Sequence, residues 1–223
     1  MGDTFEARPT GREAPFGPWP ALDRTAGDTF ALRPVIRQAT PDDAGQVSEL
    51  IATAFAGLRA VSYLVPERRQ RHRIMSANFR IFVDHALEHG EVHLIDGGPA
   101  VAVWLPNLTP LPPPHDYDRR LAEATGEFVA RFRLMDELFD KIHPRQPHHY
   151  LAFLAVHPDR QNQGLGTALL HYQHARLGGL PAYLEASDPR NRDLYLRHGY
   201  QSWQPLTLPD GALFWPMWRP GTL

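Results

Sequence analysis

A strand that runs into a proline, then a glycine-containing loop, then a helix constrains this chain more than any other stretch: Tyr150 to Ala168, YLAFLAVHPDRQNQGLGTA. Tyr150 to Val156 is an apolar run of strand length with β-branched and aromatic members, and Pro158 ends it because proline has no ladder donor. Gln161, Asn162 and Gln163 lead into Gly164-Leu165-Gly166 and Thr167. The chain can therefore turn tightly and present several backbone N–H groups where a helix begins. Orphan donors and the positive end of a helix dipole favour a phosphate at that place.

Two familiar phosphate sites fit this loop less well. A P-loop needs lysine before Thr167, where Gly166 stands. A dinucleotide site has a better claim, because Glu185 follows Gly164-x-Gly166 at roughly the distance of a ribose-binding acid. Its third glycine position is Leu169, however, too large for close helix-to-strand packing, and the first glycine comes only after the Pro158 loop. A nicotinamide-dependent oxidoreductase is thus a disfavoured alternative.

Val156-x-Pro158-x-x-Gln161-x-x-Gly164-x-Gly166 resembles the acyl-CoA pyrophosphate loop of the GNAT N-acetyltransferase superfamily. Downstream, Leu180 to Ser187, then Pro189-Arg190-Asn191 and Tyr195-Leu196-Arg197-His198-Gly199-Tyr200, is similar to that family's strand, helix and terminal glycine-aromatic pair. With Ala100 to Trp104 upstream, the resemblance covers residues 35 to 219, the middle helices in pattern only. It implies an α/β (α+β) fold with a central mixed, mostly antiparallel sheet flanked by helices and splayed open beside Val156. It also implies acetyl-CoA as acyl donor, held by Leu154, Val156, Gln161, Asn162, Gln163, Gly164, Leu165, Gly166, Thr167 and Asn191. Asn162 departs from the pattern, standing where a second small glycine is frequent. The implied acceptor is the primary amine of a small molecule, such as an aminoacyl nucleoside of the puromycin kind.

Composition sets the outer bounds. At 223 residues with 43% hydrophobic content, the chain can bury one substantial core and reads as one domain over residues 34–223. Residues 1–33 are rich in Gly, Pro and charged positions and read as a mobile arm that Phe16 and Trp19 could pin to the body. A net charge of −2 supplies no field for nucleic acid or an acidic membrane. The absence of cysteine excludes disulfides, thiolate metal sites and a cysteine acyl-enzyme, so direct transfer in a ternary complex is expected, without a metal. No apolar run reaches membrane-span length and the N-terminus lacks the order of a secretory signal, so a cytoplasmic protein is expected, with a homodimer left open.

Periodicity orders the rest. Pro34 to Ala39 reads as a strand, followed by Thr40-Pro41-Asp42-Asp43 as a capped helix start whose apolar face is Ala44, Val47, Ile51, Ala54 and Phe55. A second helix is expected over 67–89, a hairpin at Glu91–Ile95 and Ala100–Leu105, and a stiff connector at Pro106–Pro114. A helical stripe over 116–142, interrupted near Gly126, would cap the substrate side. Leu165–Leu177 reads as a helix, Pro181–Ala186 as a strand and Asp188–His198 as a capped helix. Tyr200–Leu206 and Ala212–Trp218 read as an antiparallel pair.

Amine acylation needs a neutral amine, a polarised thioester carbonyl and stabilisation of the leaving thiolate. Tyr195 lies one helical turn after Asn191, and the resemblance makes it the general acid at the leaving sulfur. Glu185, late in a buried strand, is the candidate base, an ammonium binder or a helix anchor. The N–H of Val156 would polarise the carbonyl. Trp104, Tyr63 and the helices around Phe55 and Phe128 are expected to line an acceptor pocket.

Twelve histidines offer other readings. His85-Ala86-Leu87-Glu88-His89 spells an inverted zinc-protease pattern, but no third ligand is marked. His171 and His174 read as solvated, and His148 and His149 as loop residues at a strand entrance or a base on the acceptor side. Ser187 reads as a turn residue, and Arg68 to Arg73 as a solvated face rather than a nucleic-acid patch. A non-catalytic acyl-CoA-binding sensor is the alternative of a different class.

Overall fold

A computed structural model of the chain describes residues 34–222. The expected arm over 1–33, with Phe16 and Trp19, lies outside the described residues. In chain order the elements are β1 (Ile36–Gln38), α1 (Ala44–Phe55), α2 (Arg59–Leu64), α3 (Arg68–His89), β2 (Glu91–Ile95) and β3 (Ala100–Asn107). Then come α4 (Tyr117–Thr125), α5 (Val129–Ile142), β4 (His148–Val156), α6 (Leu165–His174), β5 (Ala182–Ala186) and α7 (Pro189–Arg197). Three strands finish the chain: β6 (Gln201–Ser202), β7 (Leu206–Thr207) and β8 (Leu213–Arg219).

The strands form one mixed sheet in the order β1-β2-β3-β4-β5-β8-β6, with β7 also on β8. Every pairing is antiparallel except β4 with β5. Period-two alternation along β3 sorts the core into two layers. Val101 and Val103 pack with α1 and α3 on one face, whereas Ala100, Ala102 and Trp104 pack with Leu169 and Leu170 of α6 on the other. Fully burying each such aliphatic side chain contributes about 1.5–3 kcal/mol, so the sheet is held from both sides.

Local signals set the helix ends. Asp43 closes the capping box at Thr40, and its carboxylate also receives the Arg37 guanidinium at 2.8 and 2.7 Å. That hydrogen-bonded ion pair holds the Asp43 carboxyl far below the usual range. Gly126 takes φ +54° between α4 and α5, which is where the sequence marks the interruption.

Four differences from the sequence reading have physical causes. The short α2 was not foreseen, because six residues are too few to show a period. β3 continues through Pro106 to Asn107, where it pairs with the start of β4, shortening the connector. α6 stops at His174 rather than Leu177. The segment 200–206 is broken into β6 and β7, because β8 pairs with each in turn.

Candidate active site

The sheet opens at β4. β4 pairs with β5 only at His149↔Ala182 and Tyr150↔Tyr183, although β4 runs on to Val156. The cause lies on the opposite edge. Between Val103↔Phe153 and Trp104↔Leu151, β4 carries one extra residue, Ala152, and such a bulge bends the strand that bears it. Beyond the bend the N–H of His157 reaches back to the Pro99 carbonyl at 2.9 Å, so alternation turns the polar backbone groups of Val156 and Leu154 away from β3 and into the opening.

The loop at the end of this opening is folded by its own polar side chains. Gln161 Nε2 donates to the Val156 carbonyl at 3.3 Å, and Arg160 Nε donates to Gln163 Oε1 at 3.0 Å. Asn162 and Gly164 take φ +61° and +78°, so Asn162 supplies the left-handed turn that glycine would otherwise make. Gly164 is the N-cap of α6, with Leu165 buried behind it, and a Cβ placed on Gly166 would lie 3.7–3.9 Å from the side chains of Leu154, Val156 and Leu194. Residues 161–164 are exposed. The first amides of a ten-residue helix therefore face outward beside the strand opening, a donor set suited to a pyrophosphate.

Behind the opening lies a cavity of about 770 Å³. Its aromatic wall is a set of edge-to-face contacts: Phe153 with Phe79 at 5.0 Å, with Phe82 at 6.0 Å and with Phe55 at 6.3 Å. Of the expected lining, the helices around Phe55 and Phe128 are there, through Phe55 itself and through Tyr117, Phe132 and Met135, but Trp104 and Tyr63 are not. Trp104 is 1% exposed in the opposite layer, because its position on β3 faces α6.

Acidic groups converge at the bottom. Glu185 follows Tyr183 by two on β5, so both face away from the α6 layer. The Glu185 side chain is 4% exposed; Oε2 accepts from the Tyr150 hydroxyl at 2.8 Å, while buried Oε1 has no hydrogen-bond partner. Burial and the Glu185 charge push the Tyr150 phenol well above its ordinary value. Asp136 of α5 accepts from Tyr117 at 2.6 Å, and burial raises its carboxyl pKa. Tyr150 also feels the Asp136 charge, so two carboxylates bear on one phenol. The cationic side chain on the lining, Arg145, pairs with Asp140 at 3.5 Å.

Tyr195 reaches the same cavity from the other face of the sheet. It and Asn191 share a face of α7, which Asp188 caps by accepting from the Arg190 and Asn191 amides. Tyr195 is 7% exposed, and burial raises its phenol pKa.

The histidines divide differently from the sequence reading. His148 and His149 lie within β4, and His148 is 1% exposed. His174 is half-buried, its Nε2 is 3.2 Å from the Tyr200 hydroxyl, and burial first, then nearby Arg219, lowers its pKa to about 4. His143, Asn107, Tyr117 and Asp136 line the cavity without having been singled out. The signal available for His143 was a histidine-proline step closing a long helix. No cluster of three or more His, Cys, Asp or Glu able to hold a metal exists among the described residues. No described helix is long and apolar enough to cross a membrane.

Comparison with known proteins accords with this geometry. Residues 121–202 match the family model described as an acetyltransferase (GNAT) domain, a family that uses acetyl-CoA as donor. A structure titled histone acetyltransferase HPA2 and related acetyltransferase, from Corynebacterium glutamicum, is similar at 26% identity over 86% of this chain and 98% of that one, with a TM-score of 0.68. A mosquito arylalkylamine N-acetyltransferase-like protein superposes at 0.53 with 15% identity over 83% and 98% of the two chains. A Drosophila melanogaster polyamine N-acetyltransferase superposes at 0.53 with 16% identity over 82% and 98%. At those identities the last two speak for the fold alone. Residues 121–202 thus match a GNAT acetyltransferase domain, and the chain shares the fold of solved GNAT acetyltransferases.

Proposed function

We propose that the protein transfers an acetyl group from acetyl-CoA to the primary amine of a small molecule with an aromatic or apolar body. The observation that carries this reading is the unpartnered, buried Glu185 Oε1 on a cavity that opens through the β4–β5 gap to the amide-rich loop. A buried carboxylate oxygen without a partner is costly, and an ammonium group bound there would satisfy it. The surrounding aromatic wall suits an aryl body better than a polyamine chain. An aminoacyl nucleoside of the puromycin kind is one such amine, in keeping with the wording of the 100–104, 150–168 and 180–200 segments.

Acetyl-CoA, when bound, would supply the thioester acetyl group. Gln161 to Thr167 would hold its pyrophosphate, and the outward backbone of Leu154 and Val156, with Asn191, would hold the pantetheine arm. The Val156 N–H would polarise the acyl carbonyl. Glu185 binds the ammonium and accepts its proton, leaving a neutral nitrogen to attack. Tyr195 is kept protonated by burial and donates to the departing sulfur. Because a thiol's ordinary pKa is about 8.5 and a phenol's about 10, that donation is mainly a hydrogen bond. The absence of cysteine favours direct attack over an acyl-enzyme.

Free-thiol release from acetyl-CoA, measured over a panel of aryl amines, polyamines and puromycin, tests the reading. Amine-dependent release with a preference for aryl amines is expected. Acetyl-CoA binding without release on any amine would make the protein a sensor instead.

A further inference from the structure

Two protons leave the ammonium nitrogen on acetylation: one ends on the thiol, and the other must leave by way of a side chain that is 4% exposed. Glu185 has no direct contact with solvent adequate for that. The neighbour able to carry the proton outward is His143, at the end of α5, whose side chain is 21% exposed. Its Nδ1 stands 3.8 Å from Glu185 Oε1, the oxygen that lacks a hydrogen bond.

The hydrogen bonds around His143 fix which nitrogen is free. His148 Nδ1 lies 2.7 Å from the Gln146 carbonyl, which only accepts, so that nitrogen carries a hydrogen. Burial first, opposed by that bond, lowers the His148 pKa and keeps the ring neutral, so its Nε2 is a bare acceptor. His143 Nε2 is 3.1 Å from that acceptor and must carry the hydrogen between them. The Asn107 amide nitrogen is drawn 2.8 Å from the same His143 Nε2, two donors face to face; turning the amide puts Oδ1 there as a second acceptor. In the neutral ring Nδ1 is then the lone pair, and it is the atom that faces Glu185. The other groups around His143 agree: Tyr150 and Tyr183 set ring edges or faces against it at 4.8 and 5.0 Å, and the nearby Asp140 and Arg145 neutralise one another.

We propose that His143 relays the acceptor's proton from Glu185 to solvent, with His148 and Asn107 positioning it in the tautomer whose Nδ1 is the acceptor. The step balances. The amine N–H bond breaks onto Glu185 Oε1, the carboxylic acid gives that proton to His143 Nδ1, and the resulting imidazolium releases it to water, restoring carboxylate and neutral ring. Transfer needs contact of about 2.6–3.2 Å, so the 3.8 Å gap closes by a small side-chain rotation or through one water. His143 does not touch the amine in this scheme; it acts through Glu185. The inference rests on the acetyltransferase reading.

Nitrogen-15 NMR of the full-length protein without donor or amine gives a readout separate from activity. With signals assigned by His143→Gln and His148→Gln, His143 is expected as the Nε2–H tautomer and His148 as Nδ1–H; a His143 Nδ1–H tautomer overturns the relay. In turnover, His143→Ala should lose about tenfold to a hundredfold in kcat with an unchanged KM for acetyl-CoA, and added imidazole should restore much of it. His143→Gln should lower kcat as well, again with an unchanged KM for acetyl-CoA. A His143→Gln enzyme with the wild-type rate, or a His143→Ala loss that imidazole does not relieve, overturns the relay and leaves the acetyltransferase reading standing. Wild type inert towards every amine overturns that reading and the relay with it.

Discussion

At one end of the β4–β5 opening, the donor loop 161–167 offers amides from one continuous stretch, and its side chains serve mostly to fold the loop itself. At the other end, Glu185, Tyr150, Asp136 and His143 come from β5, β4, α5 and the segment after it, and each acts through a side-chain atom. The two ends respond to change in opposite ways. A backbone site tolerates many side chains but few backbone conformations, whereas a side-chain site fails at single atoms and leaves the fold intact.

The sharpest break of that contrast is Glu185→Gln. It should lower kcat/KM for the amine by roughly 10²–10⁴-fold, through lost ammonium binding and lost proton acceptance. Calorimetric affinity for acetyl-CoA should stay the same; a parallel fall would mean that the two ends are not separate. Next, Tyr195→Phe should cost kcat about a hundredfold, again with donor affinity held. An unchanged rate removes Tyr195 from the chemistry.

Phe82→Ala, by removing a ring set against Phe153 and Tyr117, should raise KM for aryl amines about tenfold, in line with roughly 1.5 kcal/mol for an aromatic contact. KM for a polyamine should barely move. On the donor side, Gly164→Ala meets no atom within 4 Å but must hold φ +78°. The strain of about 1–2 kcal/mol should weaken acetyl-CoA binding severalfold, with amine KM unchanged. Loss on the amine side would show that loop strain reaches the cavity.

The smallest effect concerns pH. His174 sits at the end of α6, the helix that begins at the donor loop, with its pKa lowered from 6.5 to about 4. The unfolded chain takes up this proton first, so the contribution is whole above pH 6.5, falls as pH drops from 6.5, and is lost through about 4. Because the ring is part-exposed, about 1 kcal/mol is expected. Thermal midpoints across that window should fall for wild type and flatten in His174→Gln, and amide exchange should rise in α6 before α5.

Several features were legible early because their causes are local. Pro158 stops a strand, Gly164 permits a left-handed cap, Asp188 caps α7, and Gly126 splits a long helical stripe. Asn162 in the left-handed region was foreseeable from its tolerance of that conformation. Trp104 misled because a strand pattern gives alternation without saying which face is which. His174 misled because its burial comes from Tyr200, far along the chain. The short α2 carries too few residues for a period.

The sequence by itself determined the strand–loop–helix unit, the two-layered α/β pattern and the residues Glu185 and Tyr195 as the groups worth watching. The unit and the pattern follow from turn chemistry, capping and periodicity, which act over a few residues, whereas Glu185 stood out as a carboxylate late in a buried strand and Tyr195 through the family resemblance. Tertiary structure alone decided that the Ala152 bulge turns β4 away from β5, and that Glu185 and Tyr195 reach one cavity from opposite faces of the sheet. It also decided that His143 meets the oxygen Tyr150 leaves unpaired. Each depends on strand register and on contacts between residues distant in sequence, and no local propensity encodes those.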